Sequence, residues 1–94
     1  MEVVISEERL TKLIMKIIKS IKIEGLYRVQ INFPKTNNNI VIALFFETVT
    51  DSEFYRKVHN DVFNAIENFL GLQTLVLTIP YSEAKYHLNE PKNI

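Results

Sequence analysis

The chain of 94 residues has no cysteine and no tryptophan, only two glycines, and no net charge. The lack of cysteine and the scarcity of glycine each remove a class of function. Without cysteine there can be no disulfide, no thiolate ligation of zinc or an iron–sulfur cluster, and no cysteine nucleophile. A cysteine-free composition also fits a reducing compartment. With so few glycines, Gly25 and Gly71 can do little beyond ending helices, and both stand where a helical pattern stops. None is left for a glycine-rich phosphate loop, so P-loop and dinucleotide fingerprints are absent. No apolar run reaches the length of a membrane span. The start, "MEVVISEERL", lacks a basic segment followed by an apolar one, so no signal peptide is expected. The expected location is the cytoplasm, with no membrane partner.

What is present is ordinary for a globular protein: 47% hydrophobic and 23% charged residues. The length suits one domain, expected over residues 1–81, with a polar tail at 82–94. A chain this short buries only about 60% of its unfolded surface, so self-association is an economical way to hide more. The neutral total hides an asymmetry. Residues 9–35 hold seven Lys/Arg and one acid, Glu24, whereas residues 36–94 hold four Lys/Arg and seven acids. Such a division suits either a polyanion-binding face or attraction between two copies.

Hydrophobic periodicity sets the element order. Ser6 is an N-cap candidate, with Glu7 and Glu8 suited to a first helical turn. Leu10, Leu13, Ile14, Ile17, Ile18 and Ile21 then recur at helical spacing. The first helix is expected over 7–24, closed by Gly25 at C′. Tyr27, Val29, Ile31 and Phe33 alternate with polar residues, as in a strand wet on one side, and Pro34 ends it. After "KTNNN", the run "IVIALFFE" reads as a strand apolar on both faces. Thr50 and Glu53 match a capping box for a second helix, with Asp51 also favouring its start. Phe54, Val58, Val62, Ala65, Ile66 and Phe69 line one side of that helix, and Leu70-Gly71 ends it. "QTLVLTIP" is the last strand.

The expected fold is therefore α+β, a two-layer α/β sandwich in the order α-β-β-α-β, with both helices on one face of the sheet. If "MEVVI" adds a strand, the order becomes ferredoxin-like β-α-β-β-α-β. In a central "IVIALFFE" strand, either Ile42, Leu44 and Phe46 or the alternate set meets the helices, and the other face needs a cover of its own. Phe63 and Leu70 widen the apolar arc of the second helix in the same way. This surplus of apolar surface implies a homodimer or larger oligomer, with Val41, Ala43, Phe45, Phe63 and Val76 as candidate interface residues. The alternative cover is the tail.

Chemistry-bearing patterns are few. His59 lies between Tyr55 and Phe63 at helical spacing, which suits a packed side chain better than a catalyst. His87 stands elsewhere, and no paired-histidine metal spacing exists. Glu47, Asp51 and Glu53 cluster where a strand feeds a helix and could hold a divalent cation through oxygen, although helix capping accounts for Asp51 and Glu53. Asp61 is a further isolated acid. No catalytic or metal residue and no cofactor is assigned, and catalysis is not the favoured reading. Arg9, Lys12, Lys16 and Lys19 share one face of the first helix. With Lys35 they form the alternative site, a basic surface for nucleic-acid phosphates, but aromatic residues for base stacking do not interleave with them. The favoured partner is a second copy or another protein.

The segments "EGLYRVQINF", "IVIALFFETVTD" and "VHNDVFNAIENFLGLQTLVLTI" resemble the PaaD-like iron–sulfur assembly domain, with its GLxxxIxI strand and VxxAIxxxxGVxxVxV cadence. "ISEERLTKLIMKIIKSIKIEGL" together with "VHNDVFNAIENFLGL" is similar to the alkaline shock protein family. The likeness spans about residues 5–80 and rests on hydrophobic rhythm and the two helix-ending glycines. Both families imply an α-β-β-α-β order. The iron–sulfur group carries a cysteine just after the second strand, where this chain reads Thr48-Val49-Thr50-Asp51. The resemblance therefore implies a fold and no cluster-related residue.

Overall fold

A computed structural model describes residues 6–35, 39–47 and 51–80. The elements are α1 (Glu7–Ile21), β1 (Leu26–Asn32), β2 (Ile40–Phe46), α2 (Ser52–Leu70) and β3 (Thr74–Ile79). The α+β order α-β-β-α-β is as expected. The possible strand at "MEVVI", the hairpin tip 36–38, the Thr50 cap and the tail 82–94 lie outside the described residues.

The ends of the helices follow local chemistry. The Arg9 N–H donates to Ser6 Oγ at 3.1 Å, which makes Ser6 the N-cap of α1. The expected C-terminus is corrected: α1 stops at Ile21, and Lys22 takes the left-handed conformation with φ 58°. Its N–H donates to the Lys19 carbonyl at 3.3 Å. Ending the helix there frees Ile23 to pack on the core. Gly25 is left-handed too, but serves the turn into β1, where its carbonyl accepts from the Glu47 N–H at 2.7 Å. At the start of α2 the N-cap is Asp51, its Oδ1 accepting from the Phe54 N–H at 2.9 Å. Gly71 ends α2 as expected, with φ 68° and its N–H donating to the Glu67 carbonyl.

The sheet order is β1-β2-β3, with β1 antiparallel and β3 parallel to β2. β2 is thus the central strand, as its two-sided apolar character implied. Ile40, Ile42, Leu44 and Phe46 face the helices and form one core with Ile14 and Ile18 of α1, Val58, Val62 and Ile66 of α2, and Val76 of β3. Both helices therefore cover the same face. Phe46 makes edge contacts with Phe54 and Tyr55, at ring-centroid distances of 5.8 and 5.2 Å, which adds aromatic pairing to plain burial.

Two further expectations change. The alternation that placed Tyr27 inward with Val29 and Ile31 is broken by a β-bulge between Leu26 and Arg28. A bulge sets one extra residue into a strand. Here it leaves Leu26 packed on the main core and moves Tyr27 to the opposite face, against Ala43 and Phe45. Phe69, expected on the buried side of α2, is instead 74% exposed. It lies in the last turn before Gly71, while Phe63 and Leu70 pack on the core.

Candidate functional site

The face of the sheet away from the helices carries the question of what this protein contacts. Register defines it. Opposite Val41, Ala43 and Phe45 of β2 stand Asn32, Gln30 and Arg28 of β1 on one side, and Leu75, Leu77 and Ile79 of β3 on the other. Toward β1, one end of this face is built and closed. Phe45 meets the Tyr27 ring edge-on at 6.5 Å, and the Arg28 guanidinium lies 5.3 Å from the Phe45 centroid. Ile79 packs there too, and Ala43 and Phe45 are buried. Toward β3 the same face is open: Leu75 is 49% and Leu77 42% exposed, and Val41 is half-buried beside them.

The candidate interface residues thus separate. Val41, Ala43 and Phe45 share the back of the sheet. Val76 does not: its partner across the ladder is Ile42, and it lies in the helix-side core at 4% exposure. The residues that β3 presents on the back are Leu75 and Leu77, one position either side. Phe63 is on α2, half-buried on the core and stacked on His59, with rings 6.3 Å apart and nearly parallel. It belongs to the helical layer and not to the back of the sheet.

The basic residues lie where helical spacing put them. Arg9, Lys12, Lys16 and Lys19 are exposed on α1, and Lys35 is exposed on the connection after β1. Arg9, Lys12 and Lys16 line a shallow open groove with Ser6, Glu8 and Leu13. Glu8 approaches Lys12 at 3.6 Å with both side chains exposed, so one carboxylate intrudes on the basic face. A second groove, about 300 Å³, runs between α1 and β1 along Met15, Ile18, Ile23 and Leu26.

Two of the singled-out acids have local partners. Asp51 caps α2, and Asp61 accepts from Lys57 at 2.9 Å one helical turn away. Among the described residues no three His, Asp or Glu side chains come together as metal ligands would. His59 Nδ1 sits 3.4 Å from Asn60 Oδ1, and its ring stacks on Phe63. No helix among the described residues is long and apolar enough to cross a membrane. Compared with protein-family models, curated proteins and solved structures, the chain has no match.

Proposed function

We propose that this chain is a small homo-oligomeric interaction or accessory protein, acting by binding and not by catalysis, in the cytoplasm. One observation supports the reading: Leu75 and Leu77, each nearly half exposed, lie side by side with Val41 on the back of the sheet. Exposed leucines in isolation are common, but neighbouring apolar side chains on a sheet face mark a contact surface. A domain of this size also gains proportionately from area buried in a partner. The cysteine-free composition supports the compartment. The fold shared by the two families that the sequence resembles is compatible with this reading and adds no partner to it.

Light scattering or sedimentation over a wide concentration range tests the proposal. Self-association that weakens on dilution, and in the Leu75→Lys/Leu77→Lys double variant, is the expected result. A monomer at every concentration rejects it. A second reading is carried by the exposed row Arg9, Lys12, Lys16 and Lys19: a nucleic-acid accessory protein that holds phosphates on α1, with Lys35 adding to the surface. It expects DNA or RNA binding that falls steeply with salt and is abolished by charge reversal of Lys12, Lys16 and Lys19 together in a chain that still folds.

A further inference from the structure

The two edges of the sheet are finished differently. β1 carries a bulge at its start and Arg28 just after it, and both devices blunt an edge against unwanted pairing. β3 has neither. From Thr74 to Ile79 it contains no charge and no proline, and its register with β2 is unbroken over all six residues. Among the described residues β3 pairs with β2 alone. Its outward backbone N–H and C=O groups are therefore a template for another strand. The large apolar side chains exposed among the described residues, Phe69, Leu75 and Leu77, all fall on the stretch that leads into and along this strand.

We propose that β3 is a dimerisation edge, pairing antiparallel with β3 of a second copy to make one continuous six-stranded sheet. The proposal rests on the self-association reading above and gives it a location. A second copy fits because a two-fold axis through the sheet presents the same strand to itself, reversed, as an isologous contact requires. Being uncharged, the strand meets no like charge on its twin. Such an axis keeps each face on its own side, so opposed residues must share a face. It can pass through Val76, which sets Leu75 opposite Leu77 of the copy, or through Leu77, which sets Leu77 opposite itself. In both registers Leu77 meets a leucine, and aliphatic cross-strand pairs of this kind stabilise a ladder. The exposed leucines of the two copies then form one stripe across the seam. One short strand buries less than the roughly 1,200 Å² typical of a stable interface, so the dimer forms and parts with concentration.

The chain has no cysteine, so Gln30→Cys, on the exposed back of β1, accepts a single spin label per copy. Edge pairing puts five inter-strand spacings between the labelled strands, about 24 Å, whereas stacking two sheets back to back brings them within roughly 10 to 15 Å. The expected result is a dimer with the longer separation and with β3 amide exchange that slows as concentration rises. Leu75→Lys/Leu77→Lys and Leu75→Glu/Leu77→Glu should each weaken self-association at least tenfold, and mixing the two should restore pairing as a heterodimer, which also shows that both remain folded. A dimer with the short separation, or with β3 amides indifferent to concentration, overturns the edge proposal while leaving self-association intact. A monomer throughout overturns both. A monomer whose β3 amides are protected at every dilution shows the chain's own residues on that edge, and overturns both as well.

Discussion

Along β2 the two faces of this sheet are made from nearly the same kinds of residue and end in different states. On the helix side, Ile42, Leu44 and Phe46 are essentially inaccessible, held under Ile14, Ile18, Val62 and Ile66. On the back, the same strand offers Val41, Ala43 and Phe45. There closure comes from a bulged tyrosine, an arginine over a ring and Ile79, and it stops short of Leu75 and Leu77. The contrast shows that apolar content alone does not bury a face; an element of matching length must lie on it. A helix layer supplies that on one side. On the other, only the end near Phe45 is closed, which leaves the leucines of β3 partly exposed.

Substitution can break or sharpen this contrast. The largest effect is expected from Phe46→Ala, which empties the centre of the helix side and its two aromatic contacts; chemical denaturation should show a loss of about 3–5 kcal/mol. A loss below about 1 kcal/mol would mean that this face is no better packed than the other. Thr74→Val works in the opposite direction. The Thr74 hydroxyl is buried on the helix side with no hydrogen-bond partner among the described residues, so an isosteric apolar side chain should stabilise the fold by about 1 kcal/mol. On the back, Arg28→Ala removes a cation from the Phe45 face. With Arg28 itself exposed, a loss of about 0.5–1 kcal/mol is expected in the same measurement. Smallest of all is Leu75→Ala. In dilute solution it should change unfolding free energy by less than about 0.5 kcal/mol while weakening self-association measured by sedimentation. A cost of several kcal/mol at high dilution would show Leu75 packed within its own molecule and end the contrast.

Much of the architecture was legible along the chain. The order of elements, Ser6 as a cap, Gly71 as a stop and β2 as a central strand are all written in local pattern. The departures have separate causes. In β1, Tyr27 looked inward because strict alternation carries one phase, and a single bulge resets it without any sequence mark strong enough to foresee. In β3, "TLVLTI", the more apolar phase is Leu75, Leu77 and Ile79, with Thr74 and Thr78 in the other, so alternation by itself would turn the leucines inward. Only pairing with β2 sends Val76 inward and Leu75 and Leu77 outward. The early end of α1 at Lys22 was hidden because Gly25 offered a better left-handed residue three positions on, and the chain uses both. Phe69 fitted the helical stripe but lies in its final turn, where it is left exposed. The candidate surface was therefore half visible: its β2 residues could be named from sequence, and its β3 residues needed the register.

By itself, the sequence determined which segments become helices and strands, where the capping side chain of α1 sits, and that apolar surface exceeds what one helical layer can cover. Those properties depend on neighbours a few residues apart, whose spacing is fixed by the backbone repeat. Tertiary structure alone decided which face of each strand that layer takes, and so which leucines remain outside. A strand's side chains alternate with equal ease in either phase, and only hydrogen-bonded register with another strand, distant in the chain, chooses between them.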